Sequence, residues 1–234
     1  MNIYAVEIVD ESHNQYFYNL IRYISKEKYK KVENFKFIED KLRAIYGELL
    51  IRNSIIEECK LDNSNLSFQY SKYGKPYVKN INNFHFNISH SGKWVVCATD
   101  KREIGIDIEE VKPIDVNIAK KIFCEEEYME ILKNDVKDRV AKFYDYWTLK
   151  ESFIKNIGEG LSFPLNSFYI RECNYGMYTT FLEKNNKQYF FKKYKLDYNY
   201  KMSVCSSCQY FIDEIKVYDV IQIVNNIKRS IMYN

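Results

Sequence analysis

Asp107 and Glu109 alternate with Ile106 and Ile108 in Gly105-Ile106-Asp107-Ile108-Glu109. That is the two-residue period of a β-strand, so both carboxylates leave one face while the isoleucines face a core. Oxygen ligands at this spacing suit Mg²⁺, which takes a few carboxylates and completes its shell with substrate phosphates and water. The same pattern also describes a half-exposed strand with a charged outer face. A second group lies in Trp147-Thr148-Leu149-Lys150-Glu151-Ser152-Phe153-Ile154-Lys155, where Phe143, Trp147, Glu151 and Lys155 recur every four residues and share one helical face. A Glu-to-Lys pair at that spacing is an ordinary surface feature worth about 0.2–0.5 kcal/mol, and it leaves Trp147 and Lys150 unexplained. The third group is Asn87-Ile88-Ser89-His90-Ser91-Gly92, a strand running into a polar turn with one of the chain's 3 histidines. Hydroxyls, backbone N–H groups and an imidazole are suitable donors to an anion, although a turn histidine can equally be solvated.

These residues must be held by larger elements. Ile3 to Val9 reads as an opening strand, and Phe17, Leu20, Ile21 and Ile24 then recur at helical spacing. Lys26, Lys28, Lys30, Lys31 and Lys36 form the most basic stretch of the N-terminal half, and an apolar stripe runs from Leu42 to about Cys59. A turn at Tyr73-Gly74-Lys75-Pro76 precedes strands near Phe84 to Ser89, Trp94 to Thr99 and Ile104 to Ile108. Helical spacing returns from Ile118 and is clearest between Val140 and Ile157. Strand-like segments follow at Phe168 to Ile170, Thr179 to Leu182, Gln188 to Tyr194 and Met202 to Ser206, and Val217 to Ile231 is an ambiguous apolar tail. Helices followed by strands, twice over, fit an α+β fold of two similar lobes, residues 1–102 and 103–234, divided near Asp100 to Glu103.

Composition narrows the functional classes. With 46% hydrophobic and 17% aromatic residues, 234 residues supply ample core and exclude a disordered chain. Lys and Arg exceed Asp and Glu by 35 − 32 = 3, which argues against a nucleic-acid coat but allows a local phosphate patch. No basic leader precedes an apolar stretch and no window approaches a membrane span, so the expected location is the cytoplasm, with no membrane partner. The 6 cysteines are expected to be reduced and mostly buried. Cys205-x-x-Cys208 has no second pair for a zinc ribbon and lies in a strand rather than at a helix start, so it reads as core thiols.

Taken together, N-I-S-H-S at 87–91, G-I-D-I-E at 105–109 and W-x-x-K-E-S-F-I-K at 147–155 resemble the three signature blocks of the Sfp-type 4′-phosphopantetheinyl transferases, in the family's order and approximate separation. Y-G-K-P at 73–76 and G-L-S-F-P-L-x-S-F at 160–168 strengthen the match, which covers nearly the whole chain up to about Phe211.

The resemblance implies a monomer of two pseudo-symmetric lobes with coenzyme A between them, acting on an apo acyl or peptidyl carrier protein. Asp107, Glu109 and Glu151 would hold Mg²⁺ against the pyrophosphate, Lys150 and Lys155 would face phosphate oxygens, and Glu151 would take the proton of the carrier serine. Lys28, Lys31, Arg43 and His90 match positions that approach the 3′-phosphate, Gly74, Lys75 and Pro76 the loop lining the nucleotide pocket, and Ser89 a position near the phosphates. Ala44 stands where similar proteins carry a threonine hydroxyl, so one phosphate contact is absent. Ile118, Ile122 and Phe123 form an apolar face after the acidic strand that could anchor the carrier or pack into the second lobe. Two other readings use the same residues: a metal-dependent phosphodiesterase with water as nucleophile, and an inactive module that binds coenzyme A or carrier. Modification of a carrier protein separates all three.

Overall fold

The computed structural model describes residues 1–8, 19–173, 176–182 and 186–232. Of the helical repeat expected early in the chain, Phe17 lies outside the described residues; Ile21–Tyr23 is a single 3₁₀ turn.

Two sheets, antiparallel except for one edge strand of the first, pack face to face, each covered by one 22-residue helix. The first sheet has the order β11-β1-β5-β4, formed by Lys216–Tyr218, Asn2–Glu7, Trp94–Asp100 and His85–Ser91. The second has the order β6-β10-β9-β8-β7, formed by Ile104–Glu110, Tyr200–Ser206, Lys187–Tyr194, Met177–Leu182 and Arg171–Glu172. A small hairpin, β2 and β3, pairs Phe68–Tyr70 with Pro76–Val78 across the expected turn. Helix α1 spans Lys26–Glu33 and α2 spans Ile38–Cys59. Three more, α3 at Ala119–Ile122, α4 at Glu125–Leu132 and α5 at Val136–Ile157, precede the second run of strands, and α6 at Val220–Met232 follows it.

Strand alternation explains the layering. In β1 and β5, Tyr4, Val6, Val95 and Cys97 turn to α2, whereas Ile3, Ala5, Trp94, Val96 and Ala98 turn to Ile104, Ile106, Ile108, Met202 and Val204 of the second sheet. The central strands are therefore apolar on both faces. The opposite face of the second sheet meets α5 through Phe143, Leu149, Phe153, Phe191 and Cys205. Gly105 sets the depth of that contact, because a Cβ there would lie 1.9 Å from the Ser152 carbonyl oxygen and 2.5 Å from Asn156 N. The side chain of Asn156 donates to the carbonyls of Glu103 and Cys205 at 2.9 and 3.0 Å, locking the helix end to two strands.

Two expectations need correction. Phe168 to Ile170 is irregular, and β7 begins only at Arg171. The segment from Lys216 does not stay with residues 103–234: β11 pairs parallel with β1, and Ile223 and Ile227 of α6 enter the core beneath α2. The tail thereby closes the N-terminal lobe and covers the free edge of β1.

Candidate active site between the sheets

The two sheets meet at β4 and β6 through side chains instead of a backbone ladder. Asn87, Ser89 and Ser91 lie on one face of β4, two residues apart. Asn87 Oδ1, Ser89 Oγ and Ser91 Oγ accept from the backbone N–H groups of Ile106, Ile108 and Glu110 at 2.9, 3.4 and 3.0 Å. The outer N–H groups of β6 are thus satisfied, as buried backbone donors must be. His90 belongs to β4 and not to the following turn, which is formed at Gly92 with φ +51°.

The same serines hold the acids. Ser89 Oγ donates to Asp107 Oδ1 at 2.8 Å, and Ser91 Oγ donates to Glu109 Oε2 at 2.8 Å. From α5, Lys155 Nζ reaches Asp107 Oδ1 at 2.6 Å and Ser89 Oγ at 2.7 Å. Glu151 stands one turn before Lys155, and its Oε1, like Oδ2 of Asp107, is buried without a hydrogen-bond partner. Burial raises the Asp107 carboxyl despite Lys155. Glu109 is raised by burial and then by Asp107, against the hydrogen bond from Ser91. Burial, with Asp107 and Glu109 adding repulsion, pushes Glu151 up to about 7.

Among the described residues, no three Asp, Glu, His or Cys side chains are gathered into a ready metal cage. The chemistry of the set nevertheless fits an open Mg²⁺ site. Two buried carboxylate oxygens lack partners, and burial raises the proton affinity of all three acids, with repulsion from neighbouring carboxylates adding to it at Glu109 and Glu151. Mg²⁺ needs only a few such oxygens when phosphate and water complete its shell.

The basic groups lie on both sides of this centre. Arg43 on α2 donates Nε to the Gly92 carbonyl at 3.0 Å and pairs with Asp40 at 2.7 Å. Crowding that excludes water, followed by Lys155 and Arg43, holds the His90 imidazole below its ordinary pKa although the ring keeps an open edge. Lys28, on α1 after its Ser25 cap, is half-buried; desolvation lowers its pKa, opposed by Glu48. Lys31 is exposed and lies 3.8 Å over the Tyr70 ring. Gly74, Lys75 and Pro76 line a cavity of about 270 Å³ together with Asn87, Glu151, Ile154 and Lys155. The Lys75 ammonium itself turns to Glu103 Oε2 at 2.8 Å and the Asn156 carbonyl at 3.0 Å, tying that loop to the C-terminal end of α5.

Lys150 does not face the cleft. Its side chain is fully buried and its ammonium meets Glu127 Oε2 at 2.9 Å and the Leu165 carbonyl at 2.8 Å, and also donates to the Phe168 carbonyl. One residue along a helix turns a side chain by about 100°, so Glu151 reaches the cleft and Lys150 the core behind it. Phe123 is likewise a core residue, 3% exposed, with its ring 5.3 Å from Phe143 and 6.2 Å from Tyr146. Ile118 is exposed and Ile122 half-buried. Sequence reasoning placed Asn87 and Ser91 in a candidate segment without giving either a role, and missed Glu127. The first two were signalled by polar residues at strand period in β4, whereas nothing local marks Glu127 as the partner of a lysine 23 positions later.

Residues 11–102 match the family described as 4′-phosphopantetheinyl transferase, N-terminal, and residues 103–205 match the 4′-phosphopantetheinyl transferase superfamily. The chain is 39% identical to the 4′-phosphopantetheinyl transferase Sfp of Bacillus subtilis, over 92% of this chain and 96% of that protein. It is 38% identical to the 4′-phosphopantetheinyl transferase gsp of Aneurinibacillus migulanus, over 86% and 84%. Identity to the human L-aminoadipate-semialdehyde dehydrogenase-phosphopantetheinyl transferase is 30%, over 79% and 67%.

Proposed function

Since the chain belongs to the Sfp-type 4′-phosphopantetheinyl transferases, enzymes that move the phosphopantetheine arm of coenzyme A to carrier proteins, we propose that it does so with Asp107, Glu109 and Glu151 as the ligands of Mg²⁺. The observation that carries this reading is the pair of buried, unpartnered oxygens, Asp107 Oδ2 and Glu151 Oε1. A Mg²⁺ ion held by these acids would neutralise charge on the pyrophosphate of coenzyme A.

The chain's own residues position and move charge. Lys155, already donating to Asp107 and Ser89, offers its third N–H to a phosphate oxygen. The carrier serine attacks the β-phosphorus in line, forming a phosphodiester as the bond to the bridging oxygen breaks and adenosine 3′,5′-bisphosphate departs. Glu151 accepts the serine proton, directly or through water. Lys28, Lys31, Arg43 and His90 bind the 3′-phosphate, and Gly74, Lys75 and Pro76 line the nucleotide pocket. Ser89 serves the phosphates indirectly, by holding Asp107 and Lys155. Ile118 and Ile122 remain the apolar contacts offered to the carrier. Both walls of the cleft come from one chain, which supports a monomeric enzyme.

The test is the mass of an apo carrier protein incubated with enzyme and coenzyme A. A phosphopantetheine adduct that forms with Mg²⁺ and fails to form after chelation supports the metal assignment. Equal modification under both conditions contradicts it.

A further inference from the structure

Glu109 is held differently from Asp107. Asp107 receives a cation, Lys155, together with Ser89. Among the described residues no cation is in ion-pair contact with Glu109; its hydrogen-bond donor is the neutral hydroxyl of Ser91. A serine hydroxyl has one proton and two acceptor lone pairs. Ser91 Oγ accepts the Glu110 backbone N–H at 3.0 Å, and the rigid strand thereby turns its single proton to Glu109 Oε2 at 2.8 Å. The partner serine in the other lobe thus fixes a carboxylate of β6 without neutralising it.

We propose that Ser91 is a positioning residue that orients Glu109 for metal binding, an inference that rests on the Mg²⁺ reading above. Fixing a ligand's orientation before the ion arrives matters because partners of metal-binding carboxylates typically contribute roughly ten- to a hundredfold to metal affinity. Lys155 supplies that constraint for Asp107. For Glu109 the task falls to Ser91. A residue that only stapled β4 to β6 would need the bond to Glu110 N and no bond to the acid.

The experiment titrates Mn²⁺ into the full-length protein with saturating coenzyme A and counts free ion by electron paramagnetic resonance against a protein-free coenzyme A blank. Ser91→Ala is expected to raise the half-saturating Mn²⁺ concentration roughly ten- to a hundredfold. Ser91→Thr, which keeps the hydroxyl and suits a strand, should restore it. Ser91→Cys keeps the volume with a weak S–H donor and carries the same expectation of weakened binding if the alanine variant fails to fold. Wild-type Mn²⁺ affinity in Ser91→Ala or Ser91→Cys, or a threonine variant as weak as alanine, overturns the inference and leaves Ser91 as a lobe staple. If the wild-type protein itself binds no Mn²⁺ above the blank, the metal reading falls and this inference with it.

Discussion

Lys155 Nζ lies 2.6 Å from Asp107 Oδ1, joining the last turns of α5 to the central acid of β6 across the cleft. The contact exists because Gly105 lets the helix backbone press onto the strand two residues before Asp107. It leaves Asp107 Oδ2 buried and unpartnered. One side of the carboxylate is therefore committed to the fold and the other is available for chemistry.

Lys150 gives the clearest separation of stability from catalysis. Both members of its pair with Glu127 are fully buried, so Lys150→Ala leaves an uncompensated carboxylate in the core and should cost about 3–5 kcal/mol. Chemical denaturation should show that loss, while the folded fraction retains turnover and coenzyme A KM. A stable variant with turnover lowered a hundredfold would return Lys150 to the active site.

Phe123→Ala should behave as a core deletion. The ring is buried against Phe143 and Tyr146, and removing such a ring typically costs about 3–5 kcal/mol. Thermal unfolding should shift down with carrier KM unchanged at a temperature where the variant is folded. Ile118→Ala, at an exposed position, should do the reverse and raise carrier KM without lowering the melting temperature.

These two residues also show where the sequence was legible. The strand period of Gly105 to Glu109 and the four-residue repeat of Trp147, Glu151 and Lys155 placed the acids and the lysine on the faces they occupy, because both periods follow from backbone geometry alone. Lys150 was misread for a tertiary reason, and Phe123, open between carrier contact and core, falls in the core. Whether the neighbour of a cleft residue points inward depends on what packs behind the helix, here Glu127 and the Phe168 carbonyl, and that is not encoded within the motif. The tail was opaque for the same reason. Val217 to Ile231 reads only as an ambiguous apolar tail, and nothing within it marks that β11 would cross back to β1.

Glu151 predicts a pH dependence of the metal-free protein. Its folded pKa is raised from the ordinary 4.5 to about 7, so the fold favours the protonated form. The associated stability is fully present below about 4.5, falls as pH rises toward 7, and is flat above. Glu151→Gln removes this dependence, so its melting temperature relative to the wild type should rise between pH 5 and pH 8 in the presence of chelator. Parallel wild-type and variant curves over that range would contradict the raised pKa.

Recognition of the nucleotide should be mainly electrostatic, since Ala44 offers no hydroxyl. A charge-assisted hydrogen bond contributes about 1.5–3 kcal/mol, so Lys28→Ala should raise the coenzyme A KM roughly ten- to a hundredfold with a much smaller change in kcat. Dephospho-coenzyme A lacks the group being read, and the variant should discriminate against it less than the wild type does. Equal weakening of both substrates would show that Lys28 does not read the 3′-phosphate.

The most direct test replaces Asp107 and Glu151 one at a time with asparagine and glutamine and follows the mass of apo carrier protein over time across a Mg²⁺ series. Both changes keep shape and remove a charged ligand. Transfer should fall by roughly a thousandfold or more at saturating Mg²⁺ in each folded variant, equivalent to about 4 kcal/mol of lost transition-state stabilisation. Near-wild-type transfer with an unchanged Mg²⁺ requirement in either variant would contradict the assignment of these two carboxylates to the metal.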